Sequence, residues 1–159
     1  NPEKYKQIQR LLKRMGLRFR SYDNGMRFNS LIIGKYLKET FGKAHDKYIP
    51  KEIKALDKKY LEILLLALMR GDGSEERKYF TVSNQLKEDV IEIGLKTGYG
   101  VCYKKQEDKT QIWRIYLNKK SDSSFKECIT HDYNGKIYCV TVPNHIIMVE
   151  RKGKLQWSV

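Results

Sequence analysis

The segment "LLALMRGDGS" at positions 65–74 constrains the fold more than any other part of the chain. Apolar residues run without a break from Ile63 to Met69, and the run ends in the sequence RGDG. Because the run is apolar nearly all round and follows the potential cap Asp57, it predicts a buried helix that ends near Asp72. A carboxylate at the negative end of a helix dipole is unfavourable unless a cation compensates it. The segment therefore indicates either a cation beside Asp72 or an Asp-Gly turn after a buried helix.

The composition of the chain favours a polyanionic partner. Its 159 residues include 32 Lys and Arg against 19 Asp and Glu, which gives a formal net charge of +13, and 40% are hydrophobic. That hydrophobic fraction is enough for a packed core and argues against a wholly disordered chain. Positive charge spread along a folded chain favours nucleic acid as the partner, although charge that only keeps the protein soluble is the alternative.

The cysteines and the apolar segments indicate the compartment. No secretory signal is visible, and the apolar run is far shorter than the roughly 20 residues that span a bilayer. The cysteines Cys102, Cys128 and Cys139 are odd in number and lack CxxC spacing, which suits a reducing environment. We therefore expect a cytoplasmic protein with no membrane partner.

Two stretches of the chain repeat one helix–hairpin pattern. The first is "YKQIQRLLKRMG" followed by "LRFRSYDNGMRFN", and the second is "QLKEDVIEIGLKTG" followed by "YGVCYKK" and "TQIWRIYLN". Superimposing Gly16 on Gly98, an offset of 82 residues (98 − 16), aligns their apolar positions. Two copies of one supersecondary unit are therefore predicted. A counterpart of Asp72 would precede the first residue, so we expect that the first copy lacks its opening helix and strand or that these lie on another polypeptide.

These elements predict an α+β fold in three regions. We expect residues 1–46 to be the incomplete first unit, 47–124 the second unit with the apolar helix, and 125–159 a separate β-rich region. The Pro-containing segment "HDKYIPKEIKAL" is predicted to be the linker between the two units.

The end of the apolar helix offers oxygen ligands for Mg²⁺. The Asp72 carboxylate and the Gly71 carbonyl would form half of a hard-cation site. Ala67 and Gly71 are small residues four apart on one face, which would let a second helix approach closely. Two such helices would bring two carboxylates to one metal cluster, which can activate water and stabilise the leaving oxygen of a phosphodiester.

The sequence "LLALMRGDG" resembles the LAGLIDADG motif of homing endonucleases, with Asp72 at the family's acidic metal-binding position. In the same order, "HDKYIPKEI" resembles the linker of the intein-encoded, DOD-type members, and "YFTVSNQLKEDVIEIGLKTG" resembles the strand and helix after their second motif. The resemblance implies αββαββα-type repeats, the first incomplete here, and Mg²⁺-dependent, site-specific cleavage of double-stranded DNA. It also implies a nucleoid-associated protein, prokaryotic or phage-encoded. Arg70 stands where an acidic residue is more usual, at a position that varies in the family.

The family places the antiparallel sheet of each repeat in the DNA major groove. The resemblance therefore assigns DNA contacts to basic residues of the two hairpins, namely Arg18, Arg20, Arg27, Lys104, Lys105 and Arg114. Such side chains suit phosphate contacts and guanine recognition. Lys104 is also the first candidate for the basic residue near the scissile phosphate, and so for a catalytic residue beside Asp72, and Lys105 is the second. The alternative for all six is a solvated sheet face.

The C-terminal segment "NGKIYCVTVPNHIIMVERKGKLQWSV" has no counterpart in the repeats. It predicts a small β unit with turns at Gly135, Pro143-Asn144 and Lys152-Gly153. The segment resembles the C-terminal splicing region of inteins, a Hint domain, which implies splicing roles for Cys139 and for His145, whose imidazole would move protons. The chain ends in Trp-Ser-Val rather than in the Asn that splicing requires, so we expect that it does not splice alone.

Three functions from different classes follow. The first is an intein-derived endonuclease that needs a second acidic helix, from a homodimer or from an N-terminal intein or endonuclease fragment. The second is the C-terminal partner of a split intein in protein trans-splicing. The third is a maturase-like DNA- or RNA-binding module without catalysis.

Overall fold

The computed structural model describes residues 2–23, 25–106, 111–119 and 129–158, and within them the chain is mixed α and β. The helices are α1 (Pro2–Arg14), α2 (Leu31–Phe41), α3 (Lys51–Lys54), α4 (Lys58–Asp72) and α5 (Asn84–Lys96). The strands are β1 (Phe19–Tyr22), β2 (Gly25–Phe28), β3 (Lys78–Thr81), β4 (Gly100–Lys105), β5 (Trp113–Asn118), β6 (Ile147–Arg151) and β7 (Lys154–Ser158).

Serine residues cap two of the helices. Ser30 Oγ accepts a hydrogen bond from the backbone N–H of Ile33 at 3.3 Å at the start of α2, and Ser83 Oγ accepts one from Leu86 at 3.0 Å in α5. Asp57 directly precedes α4 as the sequence predicts, but its side chain makes no capping hydrogen bond. The backbone carbonyl of Asp57 begins the helical hydrogen bonds instead.

The internal repeat is present in the structure. α1 and α5 each hold 13 residues, and their first residues differ by the same 82 positions (84 − 2) that separate Gly16 from Gly98. Both glycines follow their helix with positive φ, +67° and +89°, and an antiparallel hairpin comes next. The prediction of two copies of one helix–hairpin unit is confirmed.

The second unit is built on a five-stranded antiparallel sheet with the strand order β3-β5-β4-β7-β6, whereas β1 and β2 form a two-stranded sheet of their own. One strand, β3, lies between α4 and α5, where an αββαββα repeat has two. A bridge between Gly73 and Tyr79 extends β3 toward α4 in place of the other strand. The observed fold is therefore α+β, with a shortened strand region in the second unit.

The core lies between this sheet and the helices α4 and α5. A Cβ at Gly94 of α5 would come within 2.9 Å of the side chains of Val101 and Leu117, so the helix is in close contact with β4 and β5. The buried apolar side chains of the core are Ile49, Leu61, Leu65, Tyr79, Leu86, Val90, Ile91, Ile93, Val101, Ile115 and Leu117. Because side chains alternate along a strand, the other face of the sheet points away from the helices.

The predicted linker at residues 45–56 is an ordered part of this core. It begins within a 3₁₀ turn at Ala44–Asp46 and contains α3. The backbone N–H of Ile49 donates to Asp89 Oδ2 at 2.7 Å, and Lys54 Nζ donates to Asp89 Oδ1 at 2.7 Å. Since Asp89 is 1% exposed, these two bonds fix the segment to α5.

Helix α4 is buried on one face only. Leu61 and Leu65 are 2% and 3% exposed, whereas Ile63 and Leu66 on the other face are 64% and 54% exposed. The prediction of a buried helix is therefore wrong for half of its surface in the single chain, because α5 and the sheet cover only one side. Neither α4 nor any other helix in the described ranges is long and apolar enough to cross a bilayer.

The C-terminal region differs most from expectation. The predicted turn at Lys152–Gly153 is present, with positive φ at both residues, and it closes the hairpin β6–β7. However, residues 136–142 form no strand, and Ile137 and Tyr138 are each 86% exposed. A strand needs a hydrogen-bonded neighbour, and no described residue supplies one there. Instead of forming a separate β unit, β7 pairs with β4 and extends the sheet of the second unit.

Candidate nucleic-acid interface and acidic helix end

Asp72 is the last residue of α4, at the point where the chain turns back into β3. The N–H of Gly73 donates to the carbonyl of Met69 at 3.1 Å, and the N–H of Ser74 donates to the carbonyl of Lys78 at 2.8 Å. These bonds close the last helical turn and begin the return strand. The Asp72 side chain is therefore carried by a fixed backbone while it stays exposed to solvent.

The two glycines around Asp72 have different surroundings. A Cβ at Gly73 would overlap the carbonyl oxygen of Met69 and lie 2.8 Å from its Cα, so the sharp return of the chain requires glycine there. A Cβ at Gly71 would meet nothing within 4 Å among the described residues. The fold of the single chain therefore explains Gly73 but not Gly71.

Asp72 borders a shallow pocket of about 400 Å³ that Lys47 and Phe80 also line. The nearby Tyr79 is 1% exposed. Burial, together with the negative charge of Asp72, raises the pKa of Tyr79 to about 12. The Tyr79 phenol next to the acidic helix end therefore stays protonated even in mildly alkaline solution.

The residues at this helix end fit one half of a Mg²⁺ site. The Asp72 carboxylate and the backbone carbonyl of Gly71 are oxygen ligands of the kind that Mg²⁺ prefers. Within the described part of the chain, no three His, Cys, Asp or Glu side chains come together as a metal cluster.

The outer face of α4 is exposed and, apart from Arg70, apolar. We use this name for the exposed residues that follow helical spacing on the side away from α5, namely Ile63, Leu66, Ala67, Arg70 and Gly71. Large apolar side chains occupy its middle, and small residues lie near the end that carries Asp72. A second helix could approach this end closely along the line of Ala67 and Gly71, since Ala67 carries only a methyl group and Gly71 has no side chain.

The strands of the five-stranded sheet contribute only basic charged residues to its open face, and Glu76, which precedes β3, pairs with one of them, Lys78. The register places Lys104 opposite Arg114 and Cys102 opposite Lys154, and the alternation along each strand fixes the remaining positions. The basic residues of this face are Lys78, Lys104, Arg114, Arg151 and Lys154. No acidic residue lies on this face of the five strands, all of which are described.

Arg114 is held in a defined position on the open face. Its guanidinium lies 5.6 Å from the ring centroid of Phe80, and its Nη2 donates to Gln106 at 3.0 Å. Its Nε is buried without a hydrogen-bond partner among the described residues. Phe80 also lines the pocket of Asp72, so the acidic helix end and the basic face meet at β3.

Lys105 lies on the opposite, helix-facing side of the sheet. Its Nζ is 5.4 Å from the ring centroid of Trp113, and the buried Lys87 lies 4.4 Å from the same ring and 4.5 Å from that of Tyr103. The structure therefore separates Lys105 from Lys104 and Arg114. These aromatic side chains pack around a lysine rather than facing the open side.

The arginines of the first unit lie in the two-stranded sheet. Arg20 is directly opposite Arg27, and Arg18 precedes β1 on the same alternation. All three are exposed, and the guanidinium of Arg27 lies 5.8 Å from the ring centroid of Tyr22. They form a second basic cluster, in a different sheet from Lys104 and Arg114.

The residues predicted to act in splicing lie outside the packed core. Cys139 is exposed in a segment without strand structure. His145 is exposed in a turn with φ +55°, and its backbone N–H donates to the carbonyl of Val142 at 3.0 Å. No described contact links the two side chains, and their roles in splicing stay predictions.

Sequence reasoning missed three basic residues of the open face, Lys78, Arg151 and Lys154. The alternation in "KYF" could have placed Lys78 beside Arg114. The pairing of β7 with β4 depends on a contact between segments that are distant in sequence, and no local sequence pattern predicts it. Arg151 and Lys154 were therefore not recognisable as neighbours of Lys104.

Comparison with known proteins identifies no family. No protein-family model and no solved structure matches the chain. Over 67 residues, the chain is 33% identical to the ATP-dependent Clp protease proteolytic subunit of Chlamydomonas moewusii. That match covers 34% of this chain and only 7% of the other protein, so it shows neither a shared family nor a shared activity.

Proposed function

We propose that this chain is one half of a Mg²⁺-dependent, site-specific endonuclease for double-stranded DNA, of the intein-derived LAGLIDADG type. The observation that carries the proposal is the outer face of α4. It is exposed and apolar apart from Arg70, it has the small residues Ala67 and Gly71 near its end, and the helix ends in Asp72. A second such helix on this face would bring two carboxylates together. The partner is a second copy of the chain or an N-terminal fragment.

The charge of the sheet supports DNA as the substrate. The open face carries five basic side chains, of which Lys78 is paired with Glu76, and through Phe80 it adjoins the pocket that contains Asp72. A DNA backbone lying on the open face would therefore pass close to the acidic helix end. The net charge of +13 favours the same partner at longer range.

The residues have distinct roles in this proposal. Asp72 and the Gly71 carbonyl would hold one side of the metal site, and bound Mg²⁺ would supply Lewis-acid stabilisation of the phosphodiester. Lys104 would stabilise negative charge on the phosphate, and Arg114 would position the backbone. The helix pair would bring the two half-sites into register on the two strands of the duplex.

Cleavage of a randomised duplex library, read by sequencing the new ends, tests the nuclease proposal. The full chain should produce ends at a preferred sequence in Mg²⁺ but not in EDTA. Asp72→Asn should abolish these ends while DNA binding persists, because it removes the metal-binding charge and leaves the sheet intact. Glu75→Gln, which removes an exposed charge three residues away, is the matched control and should cleave normally.

The mass of the protein in solution tests the form of the partner. A homodimer predicts twice the chain mass by light scattering, and Ile63→Glu should yield the monomer because it places a charge in the apolar interface. Ile137→Glu, at a side chain that is 86% exposed, is the control. A wild-type chain that stays monomeric with and without DNA would exclude the homodimer and leave the N-terminal fragment as the partner.

A DNA-binding module without catalysis is the second candidate. It is favoured by the basic side chains of the open face, which can contact phosphates whether or not Asp72 holds a metal ion. Under this proposal the duplex library is bound but never cut in Mg²⁺, and Asp72→Asn changes nothing. That result would exclude the nuclease function and leave DNA binding as the function of the open face.

A further inference from the structure

The hairpin β6–β7 is integrated into the sheet of the second unit. The N–H of Tyr103 in β4 donates to the carbonyl of Gly153 at 2.7 Å. Gly153 has φ +74°, and a Cβ there would overlap the carbonyl oxygen of Tyr103. Only glycine allows so close an approach, so the turn of the hairpin is built to lie against β4.

Side-chain contacts fix the hairpin on its helix-facing side. The phenol of Tyr103 donates to Glu150 Oε1 at 2.7 Å, and the same oxygen accepts the N–H of Gly153 at 3.3 Å. Leu155 packs against the core. The only acidic side chain of the hairpin strands, which are described throughout, is therefore turned away from the open face.

The basic side chains of the hairpin point to the other side. Arg151 and Lys154 are opposite each other at the turn, and Lys154 is opposite Cys102 of β4. Both are exposed, and neither forms a salt bridge with a described carboxylate. The positive charges of Lys154 and Lys104 act on the Cys102 thiol, whose pKa burial nevertheless raises above its usual range. This thiol therefore lies at the seam between the hairpin and the rest of the open face.

We propose that the hairpin β6–β7 forms the outer part of the DNA-binding surface, with Arg151 and Lys154 contacting the phosphate backbone of double-stranded DNA. This inference rests on the proposed function and assigns that role to a segment whose sequence resembles a splicing region. The charge of the hairpin supports it, because its cations continue those of Lys104 and Arg114 across the strand boundary.

The width of the sheet determines the type of contact. Five strands at about 4.8 Å spacing extend roughly 19 Å from β3 to β6. The DNA major groove is only about 12 Å wide, so the outermost strands lie over phosphates rather than base edges. The hairpin therefore adds affinity for any DNA sequence. Double-stranded RNA is a poorer fit, since the narrow major groove of A-form helices does not admit side chains.

Salt-dependent binding of the full chain to a labelled mixed-sequence duplex of about three helical turns tests the inference. The variant Arg151→Ala/Lys154→Ala should bind about tenfold to hundredfold more weakly at about 100 mM salt, and its log–log salt slope should fall by about 2. The control Lys51→Ala/Lys58→Ala removes the same charge from exposed positions on the helical side, and its salt slope should equal that of the wild type.

A footprint at Cys102 provides an independent measurement. In a Cys128→Ser/Cys139→Ser background, maleimide at about pH 8 reports the access of reagent to Cys102, since the thiolate is the reacting form. In the chain with the native hairpin β6–β7, saturating DNA should slow the alkylation of Cys102. An unchanged alkylation rate at saturating DNA would show that DNA does not cover the seam and would overturn the inference.

The outcomes separate this inference from the proposed function. If the wild-type chain does not bind duplex DNA, both the proposed function and the proposed role of the hairpin are wrong. If the wild type binds but the hairpin variant matches its control, only the hairpin role is overturned. If duplex RNA competes as well as duplex DNA, the assignment of DNA as the partner is wrong.

Discussion

Lys104 and Arg114 occupy directly opposite positions on β4 and β5, with both side chains on the open face of the sheet. Like charges that face each other across an antiparallel pair destabilise a sheet. The aromatic ring of Phe80 and the side chain of Gln106 hold Arg114 in place without compensating its charge, and the Glu76 carboxylate, which attracts Arg114, is already paired with Lys78. An anion bound across the two strands would turn this repulsion into a favourable contact.

Lys104→Ala should weaken DNA binding and leave the fold intact. Loss of one phosphate contact lowers the salt slope by about 1. The free energy of unfolding should stay the same or rise by about 0.2–1 kcal/mol, because the repulsion with Arg114 is removed. Fluorescence anisotropy at several salt concentrations and urea unfolding measure the two effects. Lys105→Ala, on the opposite face, is the control, and an equal loss of binding there would contradict the assignment of faces.

Gly73→Ala and Gly71→Ala should have opposite effects on stability. The methyl group at Gly73 collides with the Met69 backbone, so the chain must shift at a cost of about 1–3 kcal/mol. At Gly71 the methyl group meets no described atom, and replacing a helical glycine by alanine gains up to about 1 kcal/mol. Thermal unfolding of the two variants measures the difference. If Gly71→Ala stabilises the chain but prevents its association, the glycine serves the second helix.

Local patterns predicted the helices and the turns well. These features depend on interactions within a few residues, so a local stretch of sequence is enough to predict them. Examples are Ser30 at a helix start, Gly16 and Gly98 after a helix, and Lys152-Gly153 in a tight turn. The internal repeat could be predicted for the same reason. The pairing of strands that are distant in sequence could not be predicted, because the contact of Gly153 with Tyr103 is a tertiary contact.

The candidate site shows the same limit. Asp72 could be recognised from its place at the end of an apolar run, and the structure puts it at the last position of α4. Lys105 was grouped with Lys104 because the two are adjacent in sequence, yet adjacent strand residues point to opposite faces. Which face is open depends on where α5 packs. A sequence gives the alternation of a strand but not its orientation.

Lys54→Met should destabilise the chain far more than Lys96→Met. Both lysines donate to Glu92, but only Lys54 also pairs with the buried Asp89. Removing its charge leaves the Asp89 carboxylate buried without a cation, which costs about 3–5 kcal/mol. The exposed pair of Lys96 contributes at most about 1 kcal/mol. Urea unfolding at neutral pH measures both values, and equal losses would show that Asp89 does not depend on Lys54.

Glu92 should make the free energy of unfolding depend on pH in the acidic range. Burial acts to raise the pKa of Glu92, but the hydrogen bonds from Lys54 and Lys96 outweigh it, so the pKa lies below its usual value. A carboxyl group whose pKa is lower in the folded chain stabilises the fold above its unfolded pKa of about 4.3. That contribution is lost as the pH falls through the lower, folded value.

Glu92→Gln should therefore reduce the free energy of unfolding at pH 7, and the difference from the wild type should shrink as the pH falls below about 4. Urea unfolding at a series of pH values measures the two curves. Glu52→Gln, at an exposed position of α3, is the control and should follow the wild type throughout. The contrary outcome is a difference in the free energy of unfolding between Glu92→Gln and the wild type that stays constant down to the lowest pH. In that case protonation of Glu92 would not destabilise the wild type, and its ion pairs with Lys54 and Lys96 would contribute nothing to stability.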